Sequence, residues 1–187
     1  TPLYSSAASD VYKRQNNQGL GLTRNFGRSI ASSDYIYFLD SDDIIKDGLI
    51  LRMREIIHQY NKPEMILFSG ESFDNNGTNK KKPNLKFTLK GEFFHNSKLI
   101  TKLTKRKETL PQTSRYITVV DLWLKNKLSY PEGIAEDEAV FFPLLALSKS
   151  TVVIPETYYK YRVGRPGSIT LSPVSYTHVT LPTNREV

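Results

Sequence analysis

The feature that most restricts the fold is a short β-forming run that ends in three acidic residues. Residues 35–39 all have strong β preference, and Asp40, Asp42 and Asp43 follow directly. An apolar run of this kind is typical of a buried strand, and open α/β sheets bind ligands beyond the carboxyl ends of their strands. Three carboxylates within four residues repel one another, so they require a cation, hydrogen-bond donors or water around them.

The spacing of this acidic cluster allows two interpretations. Oxygen-rich clusters suit Mg²⁺ or Mn²⁺, which bind carboxylates together with the phosphate oxygens of a ligand. The cluster is otherwise a solvated turn that caps the next helix. A calcium-binding EF-hand loop is excluded, because a loop that starts at Asp40 needs glycine at its sixth position and glutamate at its twelfth. This sequence has Ile45 and Leu51 there.

The apolar pattern around this cluster predicts alternating helices and strands, which is an α/β organisation. A helix is expected over residues 22–31, with apolar residues on one face (Leu22, Phe26 and Ile30). A second helix is expected over 48–60, capped by Asp47. A second buried strand is predicted over 65–69.

The later half is less regular. Residues 71–83 are polar, and Asn76 and Gly77 predict a hairpin turn before a weak strand over 84–90. Residues 92–110 are expected to form a basic helix that includes Lys98. A helix over 119–128 contains Trp123, for which packing is the default role and contact with a sugar face is the alternative.

The end of the chain contains a second acidic cluster. Glu136, Asp137 and Glu138 fall in the first turn of a predicted helix, where the helix dipole favours negative charge. A short strand over 151–154 and an alternating basic and aromatic segment over 158–163 are expected to follow.

Composition excludes several classes of protein. With 187 residues, 39% hydrophobic and 11% aromatic, the chain is expected to form one globular domain. It has no cysteine, so disulfides and thiolate sites are impossible. Neither a signal peptide nor an apolar run of about eighteen residues is present, and a cytoplasmic location is expected.

The chain is basic, with 26 Lys and Arg against 19 Asp and Glu, for a net charge of +7. Much of the excess lies in residues 80–90 and 98–107. Such a surface is either solvated or contacts nucleic acid, anionic lipid or a polyanionic acceptor. The charge is not accompanied by a nucleic-acid-binding motif, so no nucleic-acid partner is expected.

The two ends are expected to be non-native. The first methionine is Met53, and neither residues 1–15 nor residues 172–187 show a sustained helical or strand period. Both ends resemble translated adapter-like sequences. We therefore expect a non-native leader over 1–15, one domain over 16–171 and a non-native tail over 172–187.

Several short motifs, taken in their order, resemble family-2 glycosyltransferases of the GT-A fold, in particular the bacterial members that build capsule, lipopolysaccharide or exopolysaccharide. The early motifs are Asn17-x-Gly19, Thr23-Arg24-Asn25 and the stretch that ends in Asp40-Ser41-Asp42-Asp43. The later ones are Glu136-Asp137-Glu138, Ile154-Pro155-Glu156, Tyr161-Arg162 and Gly167-Ser168-Ile169. The likeness covers residues 16–170, with a poorly matched middle over 71–115.

The resemblance implies a partial GT-A fold, a Rossmann-like nucleotide-diphospho-sugar transferase fold with a mixed sheet flanked by helices. The first strands of that fold, which grip the nucleotide base, have no counterpart in the sequence. These 187 residues alone are therefore expected to be inactive, or nearly so.

The resemblance also implies roles for the acidic turn. Asp42 would hold Mn²⁺ or Mg²⁺, which bridges the diphosphate of the donor. Asp40 would help to hold the ribose or the water shell of the metal ion, and Asp43 would be a secondary metal ligand. Arg24 would contact the nucleotide, and Gly19 would let the backbone approach it.

For the second cluster, the resemblance implies that Asp137 is the general base, with Glu136 as the alternative base. Such a base would deprotonate an acceptor hydroxyl and so invert the anomeric centre. Arg162 or Arg165 would contact the diphosphate, unless each is simply an exposed cation.

The implied partners are a nucleotide-sugar donor, with a UDP-sugar expected, and a glycan or lipid-linked acceptor. Peripheral contact with the inner face of the plasma membrane is also implied. The Gln-x-x-Arg-Trp motif of processive synthases is absent from the sequence, which favours addition of one sugar. Two alternatives remain: a non-catalytic module that binds carbohydrate or sugar nucleotide, and a basic module that binds anionic polymer.

Overall fold

The computed structural model describes residues 19–74, 85–94, 96–109, 111–132 and 136–164. The helices within these ranges are α1 (Leu20–Ser29), α2 (Leu49–Gln59), α3 (Ser97–Lys105), α4 (Val120–Lys125) and α5 (Glu136–Leu147). The strands are β1 (Tyr35–Tyr37), β2 (Ile44–Ile45), β3 (Met65–Phe73), β4 (Gly91–Phe94), β5 (Tyr116–Val119) and β6 (Ser150–Arg162). A single 3₁₀ turn, Thr113–Arg115, leads into β5.

The described strands form one mixed sheet. Its order is β1-β5-β3-β6-β2, and β4 pairs with the first half of β6. β3 and β6 are parallel, whereas the other pairs are antiparallel. The prediction of a mixed sheet flanked by helices is confirmed.

The core lies on both faces of this sheet, and β3 shows why. Met65 and Leu67 pack on one face with residues of α3, α4 and α5, and Ile66 and Phe68 pack on the other face against α2. All four side chains are fully buried. Because successive side chains of a strand point to opposite faces, a strand covered on both sides reads as a continuous apolar run. The predicted buried strand over 65–69 is confirmed.

Helix α1 packs through its polar side. Phe26 and Ile30 are 39% and 44% exposed, whereas Gly21 and Arg24 are buried. The side chain of Asn25 forms two hydrogen bonds with the backbone of Tyr130, which fixes the rotation of the helix. The apolar stripe that predicted the helix is therefore not its packed side.

Strand β1 differs from the predicted buried strand over 35–39. It ends at Tyr37, its residues are only half-buried, and within the described ranges it pairs with β5 alone. The hydroxyls of Tyr35 and Tyr37 donate to the backbone carbonyls of Pro63 and Ser114. The two tyrosines of this edge strand thus use their hydroxyls to contact neighbouring backbone segments, a polar role that the apolar reading of the run did not include.

The predicted cap of α2 is wrong. Its N-cap residue is Gly48, and the cap has no side-chain hydrogen bond, so Asp47 does not cap the helix. Gly48 has a φ of 86°, a left-handed conformation that favours glycine. The turn between β2 and α2 therefore depends on backbone conformation rather than on a carboxylate.

The predicted basic helix over 92–110 is instead β4 followed by the shorter α3. The break falls at Asn96, which is buried and whose side-chain amide donates to the carbonyls of Leu145 and Ser148 and to the hydroxyl of Thr151. Residues 85–90 are not a strand, and the predicted turn at Asn76 and Gly77 lies outside the described residues.

The last strand is longer than predicted. β6 runs without a break through the segments expected as a strand over 151–154 and an alternating run over 158–163.

Trp123 in α4 is fully buried and donates from its indole nitrogen to Thr118, which confirms a packing role. None of the helices that the structure describes is long and apolar enough to cross a membrane.

Candidate functional site

Arg24 joins the two acidic clusters. Its Nη2 lies 2.7 Å from Oδ1 of Asp40, and its Nη1 lies 2.6 Å from Oδ1 of Asp137 and 3.5 Å from Oε1 of Glu136. The Arg24 side chain is 5% exposed, and the three carboxylates are 32%, 26% and 16% exposed in the order Asp40, Asp137 and Glu136. Carboxylates from the end of the β1 region and from the start of α5 therefore meet on one guanidinium.

The position of Arg24 depends on how closely α1 approaches the segment before α5. A Cβ on Gly21 would lie 2.6 Å from the carbonyl oxygen of Pro131, so only glycine permits this approach. The guanidinium then lies over the ring of Tyr130, 5.3 Å from its centroid. Burial lowers the pKa of Arg24, but the negative charges of Asp137 and Asp40 outweigh burial and raise it above its ordinary value. Arg24 is therefore a permanent cation at this site.

The acidic turn is held by the end of β6. The amide of Asp43 donates to the carbonyl of Asp40 and closes the turn. The Asp43 carboxylate accepts hydrogen bonds from the Tyr159 hydroxyl at 2.5 Å and from the Arg162 amide at 2.8 Å. Nε of Arg162 donates to the carbonyl of Asp42 at 2.8 Å, and its guanidinium lies over the ring of Phe73.

These contacts define the surroundings of two residues with predicted roles, Arg162 and Asp43. Arg162 is half-buried against the acidic turn, so the alternative of an exposed cation is wrong for it. Arg165 lies outside the described residues. Burial raises the pKa of Asp43, and hydrogen bonds from Tyr159 and Arg162 offset this only in part. Burial also raises the pKa of the Tyr159 hydroxyl, and the neighbouring Asp43 raises it further, so this phenol stays protonated and donates.

Asp137 lies in a small cluster of hydroxyl groups that the sequence did not indicate. Thr113 Oγ1 donates to Oδ1 of Asp137 at 2.5 Å, and the Thr113 amide is 3.4 Å from Oδ2. The hydroxyls of Tyr130 and Tyr116 lie 3.1 Å and 3.4 Å from Thr113 Oγ1. Thr113 falls in the poorly matched middle of the chain, where no motif singled it out.

Gly19 directly precedes α1 and has a φ of 84°, which favours glycine. Among the residues that the structure describes, no atom lies within 4 Å of the position that a Cβ would occupy there. The local geometry is therefore compatible with the predicted approach of a ligand to this backbone.

The carboxylates suit a metal ion that is shared with a ligand. Among the residues that the structure describes, no group of three or more His, Asp or Glu side chains is arranged to hold a metal ion. Mg²⁺ is commonly bound by one or two carboxylates together with phosphate oxygens of a substrate. Asp40 and Asp42 are partly exposed and lie in one turn, so they offer such an oxygen donor set.

Comparison with solved structures identifies the fold. S. aureus TarS 1–349 in complex with UDP-GlcNAc is 24% identical, with a TM-score of 0.65 over 83% of this chain and 42% of that chain. S. aureus TarS 1–349 in complex with UDP is 23% identical, with a TM-score of 0.60 over 77% of this chain and 40% of that chain. The chain thus spans about two fifths of the TarS chains that it matches. The predicted partial GT-A fold is confirmed.

Comparison of sequences identifies the family. Curated proteins provided no match to the chain. The model of glycosyl transferase family 2 matches residues 9–120, which is more than half of the chain and includes Gly19, Arg24 and the acidic turn but ends before Asp137. On this match, and in agreement with the resemblance of its motifs, the chain belongs to glycosyl transferase family 2.

Proposed function

We propose that the protein is an inverting, metal-dependent glycosyltransferase. It moves one sugar from a nucleoside-diphosphate donor, in our proposal a UDP-sugar, to a hydroxyl group of a glycan or lipid-linked acceptor. The observation that carries the proposal is the Arg24 guanidinium, which brings Asp40 and Asp137 to one place. Solved structures of similar fold that contain UDP-GlcNAc and UDP support the choice of donor.

The acidic turn has the donor-binding role in this proposal. Asp42 and Asp40 would hold Mn²⁺ or Mg²⁺ together with the diphosphate, and Asp43 would support them by anchoring the turn through Tyr159 and the Arg162 amide. The metal ion, when bound, neutralises charge that develops on the departing diphosphate. Arg162 lies against the same turn, where its Nε donates to the carbonyl of Asp42, and its positive charge would favour a diphosphate bound there.

The second cluster has the proton-accepting role. Asp137 takes the proton of the acceptor hydroxyl as its oxygen attacks the anomeric carbon from the side opposite the leaving group. Glu136 also pairs with the Arg24 guanidinium and is the alternative base. Arg24 neutralises the carboxylates that crowd the site and so lets them lie close together, in addition to its proposed contact with the nucleotide.

The test compares three Asp→Asn variants of the protein. Asp137→Asn should lower the rate of UDP release from UDP-GlcNAc by about 100-fold or more, as expected for loss of a general base, while Mn²⁺-dependent donor binding persists. Asp42→Asn should weaken that binding as well as the rate. Asp47→Asn is the matched control, because Asp47 is exposed and caps no helix. Full activity of Asp137→Asn contradicts the proposal.

We also propose that the protein is cytoplasmic and contacts the inner face of the membrane through the basic face of α3. This face carries three exposed lysines (Lys98, Lys102 and Lys105), and two further exposed cations, Arg106 and Lys107, follow the helix directly. Phe94, at the end of β4, is 62% exposed close to the start of this helix. Each cation at an anionic bilayer surface contributes about 1 kcal/mol, so five are sufficient for reversible attachment.

A further inference from the structure

The two oxygens of Asp137 have unequal contacts. Oδ1 accepts hydrogen bonds from Nη1 of Arg24 at 2.6 Å and from Oγ1 of Thr113 at 2.5 Å. Among the described contacts, Oδ2 has one, from the Thr113 amide at 3.4 Å, which is beyond the usual range of a strong hydrogen bond. The side chain is 26% exposed. Oδ2 is therefore the oxygen that has capacity to accept a further proton.

The direction of the hydroxyl cluster follows from the number of its protons. A threonine hydroxyl has one proton to donate, and an ionised carboxylate can only accept. Because Thr113 Oγ1 donates its single proton to Asp137, it can only accept in its contacts with the hydroxyls of Tyr130 and Tyr116. Thr113, Tyr116 and Tyr130 are 1–2% exposed, so water does not replace these partners.

The pKa values of the two tyrosines keep their hydroxyl groups in the protonated form. Burial raises the pKa of Tyr116 to about 12. Burial also raises the pKa of Tyr130, and the nearby Tyr116 adds to this. Both phenols therefore stay protonated at any physiological pH, so neither becomes a charged acceptor that competes with Asp137 for the Thr113 proton.

We infer that Thr113 is a positioning residue, which holds Oδ1 of Asp137 so that Oδ2 is the atom that accepts the proton of the incoming hydroxyl group. The inference rests on the proposed function and assigns atoms within it. In that step the acceptor oxygen forms a bond to the anomeric carbon, and its proton moves to Oδ2. The bond from the anomeric carbon to the diphosphate oxygen breaks, and its electron pair leaves with the nucleoside diphosphate.

The contact itself is tested without any activity measurement, by urea unfolding of the 187-residue chain in a double-mutant cycle. The variants are Thr113→Val, Asp137→Ala and the pair. Thr113→Val should shift the unfolding equilibrium constant about 10- to 100-fold in the presence of Asp137, as for a hydrogen bond to a charged group. In the Asp137→Ala background the shift should be smaller by about tenfold or more. Equal shifts in both backgrounds overturn the inference.

The positioning role is tested by the kinetics of the protein, with UDP-GlcNAc as the probe. Thr113→Val should lower kcat for UDP release by about 10- to 100-fold, the cost of a misplaced catalytic group, and leave the KM for UDP-GlcNAc within about twofold. Thr113→Ser keeps the hydroxyl and should restore kcat to within about threefold. Equal loss in the Val and Ser variants overturns the inference, because the hydroxyl would then not matter.

Tyr130→Phe keeps the aromatic ring and removes one donor to Thr113, so it serves if Thr113→Val does not fold. It should lower kcat about 2- to 10-fold without a change in the KM for the donor, and an unchanged kcat counts against the inference. Absence of UDP release by the wild-type protein refutes the proposed function and the catalytic part of this inference. The unfolding cycle still decides whether Thr113 holds Asp137.

Discussion

Replacement of Arg24 by methionine tests whether one buried cation holds the site together. Arg24→Met keeps most of the volume of the side chain but leaves Asp40, Glu136 and Asp137 close together without their common partner. Loss of one member of a buried ion pair costs about 3–5 kcal/mol. Because the three carboxylates are 16–32% exposed, water recovers part of this cost. We expect a loss of about 2–4 kcal/mol in the free energy of unfolding.

The assay is urea unfolding at pH 7, followed by the fluorescence of Trp123, which is the single tryptophan of the chain and is fully buried. The matched control is Arg52→Met, because Arg52 also pairs with two carboxylates but is 28% exposed and lies on α2. The control should cost no more than about 1 kcal/mol, as is usual for surface pairs.

Two further measurements test whether Arg24 holds the two acidic clusters together. Arg24→Lys retains the charge but carries its donors on one nitrogen rather than on the two separate nitrogens that reach Asp40 and Asp137, so it should fall between wild type and Arg24→Met. The cost of Arg24→Met should also shrink in acid, where carboxyl groups are protonated and no longer repel one another. If Arg24→Met costs no more than Arg52→Met at pH 7, the two clusters do not depend on Arg24.

Two other predictions concern the approach of α1 and the basic face of α3. Gly21→Ala should lower stability by about 1–3 kcal/mol in thermal unfolding, because its Cβ would lie 2.6 Å from the Pro131 oxygen. Gly27→Ala, where nothing lies within 4 Å of a Cβ, should gain up to about 1 kcal/mol, and equal effects at the two sites would contradict the packing described. Charge reversal of the three lysines of α3 should abolish sedimentation with phosphatidylglycerol vesicles, whereas Lys125→Glu in α4 should not. Equal binding to neutral vesicles, or to nucleic acid in place of vesicles, would rule out the membrane proposal.

Elements whose partners are apolar and numerous were predictable from the sequence. The run from Met65 to Phe68 is covered on both faces, and its continuous hydrophobicity identified it as a buried strand. The two acidic clusters were likewise recognisable as motifs, since each lies at the end or start of an element with a clear pattern. The structure adds that they meet on Arg24.

The rest depended on polar contacts between distant residues, which a local pattern does not contain. The rotation of α1 is set by Asn25, whose partner is the backbone of Tyr130, and not by the apolar stripe that identified the helix. The start of α3 is set by Asn96, whose partners lie at the end of α5 and the start of β6. Thr113 has no sequence signature at all, because its importance comes only from its place next to Asp137.

The attachment of the acidic turn to β6 has a consequence for ligand recognition. β6 pairs with β2, β3 and β4, and its Tyr159 and Arg162 bind both oxygens of Asp43. The carboxylates beside Asp43 are therefore preorganised before any cation or anion arrives, and association need not spend free energy on ordering a loop. Selectivity at this end of the sheet should consequently reflect how well an incoming ligand matches a stiff template, with little induced fit.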